Sequence, residues 1–283
     1  MATAPFNYER FSIGRVFSRM FSQITSTFAT VGVFVVVVEL VAIALSYIAG
    51  QQLVATMAHL TPTDPGARPD PMAALAVFTS PAYWGLIVAS VVLAVFGLAG
   101  STRGFLASGT GSPVSIGECF QAAATKFFPL LVLYILWGLG VLLGYILIII
   151  PALILVTMWS VAVPVFIGEE TGIFAAFGRS RELTKGSRWS IFGILFIFVV
   201  VLYVFVFGAM FAMMGSSFGS MFGAGAGSPA AMQAQMSVTA MPLKFVTALV
   251  SGLATPSLLV SIYRELRLVN EGDGPNSLRD VFA

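Results

Sequence analysis

Six apolar runs restrict what this chain can become. They cover Phe28–Gly50, Ala82–Gly100, Phe128–Gly144, Leu147–Ile167, Trp189–Met213 and Leu243–Tyr263. A helix needs about 20 apolar residues to cross the hydrocarbon core of a bilayer. In lipid an unpaired backbone N–H or C=O is too costly to keep, so each run must satisfy its hydrogen bonds internally, and helices are predicted. Charged residues make up only 9% of the chain, against roughly a quarter in soluble domains. Six spans and their connections use up the 283 residues. A single integral membrane domain over 1–283 is therefore expected, with no separate soluble domain. The one cysteine, Cys119, excludes an intrachain disulfide. Arg10, Arg15 and Arg19 precede the first run without a short apolar stretch and cleavage site, so no cleaved signal peptide is expected.

Turn chemistry separates the runs. Residues 51–81 hold Asp64, Asp70, Pro62, Pro65, Pro69, Pro71 and Pro81, a loop composition, and 215–241 is Gly, Ser, Ala and Met without charge. The third and fourth runs are expected to form a hairpin through a tight Gly144–Tyr145 turn, with Pro151 early in the fourth helix.

The basic residues orient the spans. Arg10, Arg15 and Arg19 precede span one, and Arg103 and Lys126 separate spans two and three. Arg179, Arg181, Lys185 and Arg188 separate spans four and five, and Arg264, Arg267 and Arg279 follow span six. Only Arg68 and Lys244 fall on the other side. The positive-inside rule then puts both termini in the cytoplasm, with Tyr83, Trp84 and Trp189 at the interfaces.

Three cytoplasmic segments share a pattern. Ile13, Val16, Phe17, Met20, Phe21 and Ile24 form an apolar stripe, with Ser12, Arg15, Ser18, Arg19, Ser22 and Gln23 off it. Ile116, Cys119, Phe120, Ala123 and Phe127 repeat the spacing behind a Ser115-x-x-Glu118 capping box. Ile173, Ala176, Phe177 and Ser180 give a weaker version that ends at Lys185-Gly186, where glycine suits the left-handed cap position. Two of the three open with Ser-Ile-Gly. The fold expected is all-α: a six-span transmembrane bundle with three cytoplasmic amphipathic interfacial helices and a threefold internal repeat of units near 12–114, 115–171 and 172–283.

Two cytoplasmic stretches carry a family likeness. They are Pro164-Val-Phe-Ile-Gly-Glu169 with Ala175-Ala-Phe-Gly-Arg-Ser-Arg-Glu-Leu-Thr-Lys-Gly-Ser-Arg-Trp189, and Tyr263-Arg-Glu-Leu-Arg-Leu-Val-Asn-Glu-Gly272. The chain resembles the multi-pass membrane-domain family found attached to some bacterial glycerophosphodiester phosphodiesterases and more often found alone. The resemblance implies the architecture and a bacterial inner-membrane setting. It implies hydrolysis only through a catalytic domain, which this chain lacks.

Catalytic chemistry finds few residues to use. Gly215-Ser-Ser-Phe-Gly219 fits G-x-S-x-G but lacks the strand-to-helix setting, and His59 is the only histidine. Gly223, Gly225 and Gly227 lack the strand of a dinucleotide loop. His59 and one cysteine cannot build a zinc site. Met210, Met213, Met214, Met221, Met232, Met236 and Met241 cluster. Thioethers suit Cu(I), but methionine is also the filler of adaptable surfaces, which is the reading preferred. No catalytic residue, metal or cofactor is expected, and no nucleic-acid partner.

Two sites stand out instead. Glu39 is the one charge near the middle of a span, where an ionisable group needs a partner or a water-filled cavity. Span six offers Lys244, Thr247, Ser251 and Thr255 on one face. Lys244 lies roughly 12 Å outward at 1.5 Å per residue, so a neutral Glu39 bonded to Ser251 or Thr255 is expected. Arg179, Arg181, Lys185 and Arg188 are the densest basic cluster, diluted by Glu169, Glu170 and Glu182, with Glu182 able to pair with Lys185. They read first as ordinary topology determinants, and second as a dock for anionic headgroups or for a cytosolic or membrane protein. The leading expectation is a non-enzymatic membrane scaffold or docking protein. The alternative is a transporter of a small or amphipathic solute with Glu39 as its intramembrane site; an intramembrane enzyme ranks third.

Overall fold

In a computed structural model the chain is described over residues 11–60, 79–109, 114–147, 149–214 and 241–272. Among these, every regular element is a helix. They are α1 (Ile13–Thr27), a π turn (Phe28–Gly32), α2 (Val33–Leu60), α3 (Pro81–Ser108), α4 (Ile116–Leu147), α5 (Ile149–Met158), α6 (Ala162–Gly168), α7 (Ile173–Leu183), α8 (Arg188–Met214) and α9 (Met241–Glu271). Six helical segments are long and apolar enough to cross a membrane, which suggests a multi-pass membrane protein.

Local chemistry explains most boundaries. α2 runs past the expected loop start at residue 51 and ends at Leu60. The stretch after Gly50 holds no proline until Pro62, and the residue before a proline is biased away from helix. α3 opens on Pro81, whose missing N–H would be unpaired at a first helical position in any case. Ser115 caps α4: its Oγ accepts from the Glu118 backbone N–H at 3.1 Å. Ser115→Ala is expected to cost about 1 kcal/mol at this end. Hydrogen exchange of the Glu118 and Cys119 amides should then quicken several-fold while the middle of α4 is unchanged. Gly186 takes φ +90 in the turn between α7 and α8, the left-handed role its place after Lys185 predicts.

Two expectations need correction. The hairpin does not turn at Gly144–Tyr145, because α4 continues through Leu147 and α5 begins at Ile149. Gly144 lies inside α4, where an added Cβ would stand 2.8 Å from the Cα of Ala152. Its role is to let two antiparallel backbones approach, as small residues do between membrane helices. The fourth apolar run is also two helices, α5 and α6, parted by a turn at 159–161. Pro164 has no N–H to give the Ser160 carbonyl, so an unbroken helix loses a bond at that point.

The chain divides into two compact units. The first comprises residues 1–34, 95–199 and 252–283. Phe34, Phe96 and Phe120 form its aromatic centre, with Phe34 and Phe120 edge-on at 4.9 Å between centroids. Gly100 and Gly104 of α3 face Phe34, Val31 and Cys119 so closely that no larger residue fits there. α6 is buried from Ala162 to Ile167. α7 is tied to the turn after α5 by Ser180, whose Oγ donates to the Met158 carbonyl at 2.9 Å, and by Trp159, whose ring lies tilted against Phe177 at 4.9 Å between centroids.

The second unit comprises residues 35–94 and 200–251. It turns outward Leu40, Val41, Leu45 and Ile48 of α2, Val88 of α3, and Val201, Val204, Phe207 and Phe211 of α8. So much uncovered apolar surface is disfavoured in water at about 25 cal/mol per Å² and is suited to hydrocarbon.

Candidate functional site

The described basic residues gather in the first unit: Arg15, Arg19, Arg103, Lys126, Arg179, Arg181, Lys185, Arg188, Arg264 and Arg267 lie there, and Lys244 in the second. A polar seam between α1 and α9 organises several of them. The helices run antiparallel, so Ser12 meets Glu265 while Met20 meets Ser257. On α9, Ser257, Ser261 and Glu265 recur every fourth residue and are fully buried. On α1, Arg15, Arg19 and Gln23 have the same spacing. Four-residue steps put each set on one helix face.

Glu265 is the anchor of the seam. Its Oε1 accepts from the Ser12 backbone N–H (3.0 Å) and from Arg15 Nε (3.0 Å) and Nη2 (2.7 Å). Its Oε2 accepts from Arg19 Nη1 at 3.4 Å. Further along, Gln23 Oε1 accepts from Ser257 and Ser261 at 3.4 and 3.5 Å, while its Nε2 is buried without a partner. Turning the amide over would exchange the two atoms and still leave one unpaired.

Arg264 reaches sideways to α3. Its Nη2 donates to the carbonyls of Phe105 and Leu106 at 2.7 and 2.8 Å. These belong to the last turn of that helix, where carbonyls lack intrahelical donors and a cation is favoured. Gly109 makes the reach possible, since a Cβ there would overlap the Arg264 guanidinium.

On the other flank a closed ring of polar contacts joins three helices. Tyr263 donates to Glu169 Oε1 at 2.9 Å, and Glu169 Oε2 accepts from Arg179 Nε at 3.2 Å. Arg179 also pairs with Glu271, which accepts from Arg267 Nε at 2.9 Å, and Arg267 returns to the Tyr263 hydroxyl at 3.5 Å. The chain end of α6 and the helices α7 and α9 are thereby fixed together.

Between seam and ring lies a cavity of about 1080 Å³. Arg15 and Arg19 of α1, Arg103 of α3, and Arg264 and Arg267 of α9 line it, with Glu118, Glu271 and Gln23. Arg103 is exposed and has no hydrogen bond or ion pair among the described residues. Arg19 uses only Nη1 and Arg264 only Nη2 in the contacts above, so most donors of both guanidiniums remain for another acceptor. Family models, curated proteins and solved structures offer no match to this chain. The cavity's own chemistry therefore carries the functional argument.

The four residues of the basic cluster expected from sequence have different surroundings. Arg179 is consumed by Glu169 and Glu271 in the ring. Arg181 and Lys185 are exposed, and Glu182 makes no ion pair with Lys185 among the described residues. Arg188 is half-buried, with an Nε that has no hydrogen-bond partner. None of the four lines the cavity.

Glu39 is half-buried on α2 and has no hydrogen bond among the described residues. Ser251, in the same unit, donates to the Thr247 and Ala248 carbonyls of its own helix. Thr255 belongs to the other unit, and Lys244 sits half-buried near the start of α9. The Gly215–Gly219 motif, the glycines at 223–227 and Met221, Met232 and Met236 lie outside the described residues. His59 is in α2. Among the described residues no group of three or more His, Cys, Asp or Glu could hold a metal ion.

The polar stripe of α1 is what sequence reasoning missed. The sequence places Arg15, Arg19 and Gln23 only off the apolar stripe of an interfacial helix, yet they dock on α9. The matching four-residue spacing of Ser257, Ser261 and Glu265 along α9 was the available signal.

Proposed function

We propose that this chain is a non-enzymatic integral membrane protein that docks anionic headgroups, or a partner bearing them, at a cytoplasmic face. The observation that carries the reading is the arginine-lined cavity of the first unit. The orientation rests on the charge distribution: the unit that holds the cavity also holds the described basic residues other than Lys244, as expected of a cytoplasmic side. The bacterial inner-membrane setting rests on the family resemblance, and the threefold repeat on the similar segments at α1, the start of α4 and α7. Passage of a solute is the second reading, favoured by Glu39, a half-buried carboxyl in a candidate span without a hydrogen bond among the described residues.

Native mass spectrometry of the protein released from bilayer discs of phosphatidylcholine doped with phosphatidylglycerol tests the docking reading. The expected result is retention of the anionic lipid well above its share of the disc. Retention in proportion to that share would remove the basis for a headgroup dock.

A further inference from the structure

We infer that the cavity between α1, α3 and α9 is a binding site for a phosphate group, resting on the reading above that this is where the protein engages its ligand. Five guanidiniums line the space against the carboxylates of Glu118 and Glu271, with Glu265 buried behind Arg15 and Arg19. Among the described residues, five cations against three anions leave a surplus of two positive charges. Arg19 and Arg264 stand close enough to repel each other. An assembly of like charges held this way is relieved by an anion placed among them.

The geometry favours phosphate over carboxylate. The arginines arrive from three helices, so their donors approach from several directions. A tetrahedral phosphate presents acceptor oxygens to all of them, whereas a carboxylate offers its two oxygens along one edge. The volume of about 1080 Å³ is at the upper end of ligand cavities, so it has room for the group that the phosphate esterifies. Gln23 adds a polar side chain, 5% exposed, that lines the cavity and keeps one amide atom without a hydrogen-bond partner among the described residues. Such a buried polar atom is costly unless something bonds to it.

A phosphatidic acid headgroup and a soluble phosphate share this chemistry, and two probes separate them. Titration calorimetry of the detergent-solubilised protein uses inorganic phosphate, with succinate as the carboxylate control. Native mass spectrometry uses phosphatidylcholine discs containing phosphatidic acid. The variant is Arg103→Gln, chosen because Arg103 is exposed and unpaired among the described residues and so can be changed without unfolding the protein. Arg181→Gln/Lys185→Gln is the control, since both residues are exposed and neither lines the cavity.

Saturable phosphate binding, or one retained phosphatidic acid, is expected; Arg103→Gln weakens it about tenfold, and the control leaves it intact. Phosphate binding without retention of the lipid assigns a soluble ester, and retention of the lipid, with or without phosphate binding, assigns a headgroup. The inference is overturned if neither probe binds, if succinate binds as tightly as phosphate, or if Arg103→Gln has no effect. Lipid retention lost only in the Arg181/Lys185 variant would keep headgroup docking and discard the cavity. Arg103-dependent phosphate binding without anionic-lipid enrichment would do the reverse.

Discussion

Glu265→Ala is expected to release α1 from α9 and to destabilise the protein by about 3 kcal/mol. Removing one member of a buried ion pair typically costs 3–5 kcal/mol, because the remaining charge stays without compensation. Here Glu265 is fully buried, while the Arg15 and Arg19 side chains are 38% and 30% exposed, so water recovers part of the loss and the lower figure applies. The Ser12 N–H loses its acceptor as well. Thermal unfolding in detergent should show the drop, and hydrogen exchange should place it in α1. Glu265→Gln keeps one acceptor oxygen and the shape, so a smaller loss is expected. A midpoint unchanged from wild type in Glu265→Ala would mean the seam does not hold the two helices together.

The second large effect is expected at Gly100. A Cβ there would stand 2.6 Å from one Phe34 ring carbon, nearer still to another, and 2.8 Å from the backbone carbonyl of Cys119. A ring can swing, but a carbonyl inside a helix cannot move without moving α4. Overpacking of this kind usually costs about 1–3 kcal/mol. Gly100→Leu should exceed that range, because three elements meet at this point, and the variant should fail to give a monodisperse folded protein in detergent. Gly138 is the internal control: it is also within a helix, but no atom lies within 4 Å of its would-be Cβ. Gly138→Ala should therefore fold as wild type does, so size-exclusion profiles of the pair separate packing from helix propensity.

Much of the secondary structure was readable in advance, for reasons that are local. Apolar runs of about the length that crosses a bilayer are expected to be helices, and the Ser115 cap, Pro81 start and Gly186 turn follow from side-chain and backbone chemistry within a few residues. The errors are also physical. Gly144 reads as a turn residue by propensity, but a glycine in a membrane hairpin can serve close approach of backbones instead. Pro164 sits in a continuous apolar run whose hydropathy conceals the break it makes.

The candidate site was hidden for a different reason. Arg15, Arg103 and Arg264 are far apart in the chain, and only packing brings them to one cavity. The local density of Arg179, Arg181, Lys185 and Arg188 drew attention because sequence shows charge by proximity along the chain. It does not show which cations are already neutralised by Glu169 and Glu271. Helical phase was the usable signal, since two stripes with equal spacing on distant helices can interlock.

The seam between α1 and α9 bears on how the protein is made. Ser12 and Glu265 are 253 residues apart. At roughly 5–20 residues per second, the ribosome takes about 10–50 s to supply the second after the first. Throughout that interval Arg15, Arg19 and Gln23 have no α9 to dock on. α1 is thus made long before the helix that seats it, and a nascent chain stopped before Ser257 would leave the whole stripe without its partner face.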